Sequence, residues 1–297
     1  MSFLNPVSEP VLRFSSTDTD APQINYAARV AGDVKTVLKA CLVTGYGAKP
    51  SAGWSIANDV DHVAEFVSPS AAMSDYRLGI DDTSTSSTTW YYQYQDARID
   101  PRYNVPTKSL GNVDKAHIDN GWRLVVSSRG FILIEILQHN VVKKPSVRIT
   151  YFSPVKSMLS AVETHNMMFF NFGHDGQIDR SSRLHTSTYP YCKLNDYTAP
   201  EIFGTLLLVD DYDRDISVVD VTTQLFVKNA SVSAIIAKVP GLLAQTISQT
   251  DDIYRLRDIK IDGRDYLSVC TGYSYPTAQY VTPRARNFLI PTDYWEY

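Results

Sequence analysis

The residues best equipped for chemistry in this 297-residue chain are His165, His174 and His185, with Asp175 and Asp179 among them. Imidazoles and carboxylates together could hold a divalent transition metal. Their wide spacing matches no local ligand motif, so the expectation is hydrogen-bonding histidines and no bound metal. Aspartate pairs at Asp81-Asp82, Asp210-Asp211 and Asp251-Asp252 could serve general acid–base work or calcium. Neighbours on a strand point to opposite faces, however, and no DxDxDG calcium loop is present. These pairs read as turn-forming, capping or solvated aspartates. Cys41, Cys192 and Cys270 form no CxxC pair and no disulfide framework, and read as buried thiols. Gly45-Tyr46-Gly47 with Lys49 is not a phosphate loop, because the glycines follow a helix and Lys49 precedes a proline. No GxSxG elbow occurs. The sequence supports no catalytic residue and no cofactor, and the expectation is a chain that is not an enzyme.

Binding by aromatic surface has more to work with. The chain carries 19 tyrosines, many in clusters. A tyrosine or tryptophan offers a rigid apolar face with a polar tip, suited both to strands and to contact surfaces. Trp54, Trp90, Tyr91, Tyr92, Tyr94, Tyr294, Trp295 and Tyr297 are the candidate interface or stacking residues. On exposed loops, Trp54, Trp90, Trp122 and Trp295 could stack on a surface glycan. The formal charge of −4, with Lys and Arg scattered, gives no pull toward nucleic acid. The longest apolar runs, such as 131–137, have strand length and do not span a membrane. Met1–Pro10 lacks the basic and apolar regions of a secretory signal, so synthesis in a cytoplasm is expected.

The elements that would position these residues are mostly strands. Residues 1–31, broken by Pro6, Pro10 and Pro22, read as an extended arm over the body or onto a neighbour, with a short strand near Val11–Phe14. Val34, Val37, Leu38, Cys41 and Leu42 make one apolar stripe of a helix of about three turns. Asp33 suits its N-cap, and Gly45 and Gly47 its end. Strands follow at Val60–Val67, Tyr76–Ile80, Trp90–Tyr94, Trp122–Ser127, Phe131–Gln138 and Val147–Phe152. Ser128-Arg129-Gly130 reads as a compact hairpin connection. Further strands are expected at Met167–Phe172, Gly204–Val209, Tyr254–Ile261 and Tyr266–Cys270, the last two joined at Asp262-Gly263. Ile235, Ile236, Val239, Leu242 and Leu243 keep helical spacing, predicting a short helix near 232–244 that Pro240 bends. The fold expected is mostly β: an antiparallel β-sandwich or small barrel with one or two short helices and extended terminal arms. Its organisation would be the arm (1–31), a β-rich domain (32–155) and a second β-rich half (156–297).

Residues Ala31 to Trp54, which read AGDVKTVLKACLVTGYGAKPSAGW, resemble a widespread family of tailed-bacteriophage virion proteins. That family opens with a helix of the form VLxACLVxGYG and a KxxAGW loop. Later echoes are an LxIDD element at Leu78, Ile80, Asp81 and Asp82, and a WxLV strand at Trp122, Leu124 and Val125. An FxL strand at Phe131 and Leu133 and a PGL step at Pro240, Gly241 and Leu242 complete them. The chain departs from the family at Phe66-Val67, where Phe-Arg is usual, and lacks its closing Gly-Pro-Trp. The resemblance implies a structural protein of the tail, neck or collar, or baseplate. Such a protein would reside in the virion as a symmetric multimer, touching copies of itself and neighbouring virion proteins. The alternative is a tail module that recognises a host receptor or surface carbohydrate.

Overall fold

The computed structural model describes residues 7–24, 30–74, 76–83, 93–96, 121–139, 144–157, 167–173, 191–193, 204–207, 221–229, 234–247, 256–273 and 285–297. The first elements are β1 (Ser8–Pro10), β2 (Leu12–Ser15), α1 (Asp33–Lys39), β3 (Ser55–Val60), β4 (Val63–Val67), β5 (Arg77–Asp81) and β6 (Gln93–Asp96). Next come β7 (Gly121–Val126), β8 (Phe131–His139), β9 (Lys144–Pro154), β10 (Lys156–Ser157), β11 (Met167–Gly173), β12 (Tyr191–Lys193) and β13 (Gly204–Leu207). The rest are β14 (Val221–Asn229), β15 (Ala234–Ile247), β16 (Leu256–Ile261), β17 (Arg264–Tyr273), β18 (Ala285–Pro291) and β19 (Tyr294–Glu296). The protein is mostly β with antiparallel sheets, as its sequence suggests, and the described residues form no closed barrel.

A six-stranded sheet of order β12-β11-β9-β8-β7-β2 lies between two hydrophobic cores. Side chains alternate across a strand. Trp122, Leu124, Val126, Phe131, Leu133 and Phe152 therefore face one core, and Val125, Ile132, Ile134, Ile149 and Tyr151 face the other. A strand buried on both faces reads as a near-continuous apolar run, which is the form of Phe131–Ile134 before the buried Glu135. The first core is closed by α1 and by the sheet β3-β4-β5-β6, through Val34, Leu38, Phe66 and Leu78. The second is closed by the sheet β13-β14-β15-β18-β17-β16, through Val239, Leu242, Leu267, Val269 and Phe288. Strand β10 joins this outer sheet by pairing with β15, so the chain steps from the central layer to the outer one directly after β9. The central sheet itself takes strands from both sides of residue 155, since β11 pairs with β9.

All five stripe residues of the expected helix are buried. Its end differs from the expectation: after Lys39 the chain continues as a π-helical turn, Ala40–Thr44, closed by Gly45 N–H donating to Ala40 O at 2.7 Å. Asp33 is not the N-cap. Gly32 occupies that position at φ 89° with no side-chain bond. The cap comes from across the fold, where Asp82 Oδ2 accepts from Val34 N–H at 2.8 Å and Lys35 N–H at 3.1 Å.

The helix expected over 232–244 is instead strand β15. Its pairing with β14 jumps from Phe226↔Lys238 to Gln224↔Leu243, so residues 239–242 bulge out of the ladder. Pro240 is tolerated there because no ladder bond is asked of its nitrogen. The bulge turns both Val239 and Leu242 into the second core, which imitates helical spacing in the sequence. The described residues of the terminal arms lie on the chain's own body, where β1 pairs with β19 and β2 with β7. The single strand expected over Val60–Val67 is interrupted at its start by the Asp61-His62 connection between β3 and β4, with Asp61 at φ 45°.

Candidate interaction site at the motif loop and the joined chain ends

The loop 45–54 begins where the π-helical turn stops and folds back as a tight hairpin. Tyr46 N–H donates to Lys49 O at 3.1 Å, and Lys49 N–H to Tyr46 O at 2.9 Å. Gly45 and Gly47 have φ of 75° and 52°, and a Cβ on either would press on the carbonyl of Lys49 or Thr19. The hairpin's side chains reach the outer side of β2, the edge strand of the central sheet. Tyr46 Oη donates to Asp18 Oδ2 at 2.7 Å, and Lys49 Nζ meets the same oxygen at 2.6 Å. Ser15 N–H donates to Asp18 Oδ2 at 2.8 Å, and Lys49 Nζ donates to Arg13 O at 2.9 Å. These side chains occupy backbone groups that an edge strand otherwise leaves open to another strand.

Partial burial alone would raise the Asp18 carboxyl, but hydrogen bonds from Lys49, Tyr46 and Ser15 outweigh it and hold it below its ordinary range. Burial, then the bond to Asp18, pushes the Tyr46 phenol up, so it stays a proton donor. Its ring packs between Phe14 and Trp122, at centroid distances of 5.7 Å and 6.4 Å. At the loop's far end Trp54 is buried against Phe131 and Phe152, and its indole N–H donates to Ser127 O at 3.1 Å.

The chain ends form a second clasp. Val7 and Tyr297 exchange backbone hydrogen bonds of 3.2 and 3.0 Å beyond the β1–β19 pair. The buried Tyr297 hydroxyl lies 2.8 Å from Ser127 Oγ and 3.2 Å from Ser153 Oγ. Burial pushes this phenol up. Arg129 covers the Tyr297 ring at 4.9 Å and donates to Glu9 at 3.0 Å, tying β1 to the same corner. Trp295 is fully buried; its N–H donates to Pro291 O at 3.0 Å, and Gly241, at φ 69°, lies against its ring.

The expected contact residues thus separate. Trp54, Trp295 and Tyr297 are core residues, and so is Trp122, whose indole N–H donates to Pro22 O at 2.9 Å. None of the four offers a face to a sugar or a neighbour. Tyr294 is half-buried under the Arg264 guanidinium, 4.0 Å from its ring centre. Tyr94 lies in β6 opposite Ile80. Trp90, Tyr91 and Tyr92 lie outside the described residues, as do His165, His174, His185, Asp175, Asp179 and the pairs Asp210-Asp211 and Asp251-Asp252. Among the described residues no group of three or more His, Cys, Asp or Glu could hold a metal, and no helix is long and apolar enough to cross a membrane. Cys41 is a buried free thiol, raised by burial.

Asp18 is the functional surprise, while Asp82 does act as a cap, one of the roles expected of its pair, for a helix far away in sequence. The one sequence signal for Asp18 is its place in the turn-rich run Ser15–Asp20. No protein-family model matches the chain, and no curated protein or solved structure is significantly similar to it.

Proposed function

We propose that this chain is a non-enzymatic structural component of a tailed-phage virion, in the tail, neck or collar, or baseplate. It acts by assembling as a symmetric multimer with copies of itself and with neighbouring virion proteins. The observation that carries this reading is the use made of residues 31–54, the stretch that resembles the phage family. Val34, Val37, Leu38, Cys41, Leu42 and Trp54 are core, while Tyr46 and Lys49 brace an edge strand. The motif's chemistry is spent on holding a scaffold rigid, which suits a part whose task is to present fixed surfaces to many copies. The alternative, a carbohydrate-binding tail module, has lost Trp54, Trp122 and Trp295 as stacking platforms to the core. Peptide mass spectrometry and cryo-electron microscopy of purified particles from a lysate producing the protein test the proposal. The expected result is a fixed, symmetric copy number per particle. Particles that are complete without the chain overturn it.

A further inference from the structure

One edge strand of the seven-stranded sheet is β16, and among the described residues it pairs with β17 alone. The backbone groups on its open side can be assigned. Asp265 O accepts from Thr292 N–H at 3.0 Å, so this carbonyl points toward β18 and away from β16. Lys260, opposite Asp265, therefore turns its own N–H and C=O to the open side. By the alternation of an antiparallel ladder, so do Asp258 and Leu256.

A second copy of β16, added antiparallel across a two-fold axis, can bond only through these same residues. Even-numbered positions must then face even-numbered positions, and four registers pair at least three residues of β16 with its copy. The one centred on Arg257 sets Arg257 against itself, which leaves three. Centred on Asp258, the pairing sets Asp258 against its own copy. Centred on Lys260, it sets Lys260 against its own copy and Asp258 against Asp262. Centred on Ile259, it sets Asp258 against the partner's Lys260, twice by symmetry, with Ile259 against the partner's Ile259 on the opposite face. Like charges directly opposite destabilise a sheet and opposite charges support it. Only the third register is complementary.

Within one chain Asp258 pairs with Arg13 of β2, and Lys260 with Asp265 at 3.1 Å. The Asp258 and Lys260 side chains are 68% and 61% exposed, so these pairs are weakly held and free to take a further partner. In the third register the charges run Arg13, Asp258, the partner's Lys260, the partner's Asp265, alternating in sign throughout.

We infer that β16 is a self-docking edge, through which two copies of this chain join their outer sheets across a two-fold axis at Ile259. The inference rests on the self-assembly proposed above and names its surface. Sedimentation of the full chain over a range of concentrations tests it. A reversible dimer is expected. Asp258→Lys and Lys260→Asp should each raise its dissociation constant by on the order of tenfold. The double exchange should recover part of that loss, since it restores the pair across the axis but not the pairs with Arg13 and Asp265. Ile259→Cys should give a disulfide-linked dimer on non-reducing gels that the wild type does not, since facing residues of a non-hydrogen-bonded pair have Cα atoms about 4.5 Å apart. Circular dichroism checks that each variant folds, and the cysteine cross-link decides if a charge variant does not. A wild-type multimer that ignores both charge reversals and leaves Ile259→Cys uncross-linked overturns the β16 interface while leaving self-assembly standing. A chain that is monomeric throughout overturns both, and makes the charges a guard against edge pairing.

Discussion

The two cores on either face of the central sheet are built from opposite ends of the chain, and they close in different ways. The first draws Phe14, α1, Trp54 and strands β4 and β5 from the N-terminal third. It is finished by an ionic brace at Asp18, Tyr46 and Lys49 that remains partly open to water. The second draws β15 to β19 from the C-terminal end. It is finished by the buried Tyr297 hydroxyl and the two serines around it. One closure depends on charge and the other on packing, and perturbations should separate them.

The largest effect is expected from Trp295→Ala, which empties the second core and should cost about 3–5 kcal/mol of stability. Urea unfolding followed by tryptophan fluorescence and by far-ultraviolet circular dichroism reads it. Because both cores share the central sheet, the two probes should move together to a lower midpoint. Two separate transitions would show instead that the cores fold independently. Asp82→Ala comes next, at about 1–3 kcal/mol, since it strands the Val34 and Lys35 amides at the start of α1. Its loss should fall on the first core, with faster amide exchange in α1 than in β17 and β18.

Tyr297→Phe keeps the ring and deletes the hydroxyl, and should cost about 1 kcal/mol with no dependence on salt. A salt-sensitive loss would mean that Arg129 and Glu9, and not the serines, carry that corner. The smallest effect belongs to Asp18→Asn, at most about 1 kcal/mol at neutral pH and less in high salt. Its signature is the pH profile. The Asp18 carboxyl is lowered in the folded protein, so its contribution is complete above the unfolded carboxylate range. It fades as pH falls through the lower folded value. The wild-type advantage over Asp18→Asn in denaturant midpoint should therefore be constant from neutral pH down to about pH 5 and shrink below about pH 4. An advantage that grows on acidification contradicts the assignment.

How far the sequence speaks follows the same division. In the first core the informative contacts are local, and the stripe Val34 to Leu42 announces its buried face directly. The hairpins at Ser128–Gly130 and Asp262-Gly263 were equally plain, because each turn needs its glycine. The β15 bulge was not, since five apolar residues around Pro240 match a helix until pairing with β14 and β18 is known. The aromatic residues misled for another reason. Composition marks Trp54, Trp295 and Tyr297 as suited to contact, but whether the contact is with a neighbour or with the core depends on strands far away in sequence. The brace at Asp18 and the choice of helix that Asp82 caps were out of reach for the same cause, their partners lying 31 and 48 positions distant.

The contact between Gly241 and Trp295 also bears on how the protein can change over generations. With the indole lying on a backbone of positive φ, neither position drifts alone. Any side chain at 241 demands a smaller ring at 295, and a smaller ring leaves a hole until 241 fills it. Among descendants of this chain the two should be kept or exchanged together, an inherited pair 54 residues apart.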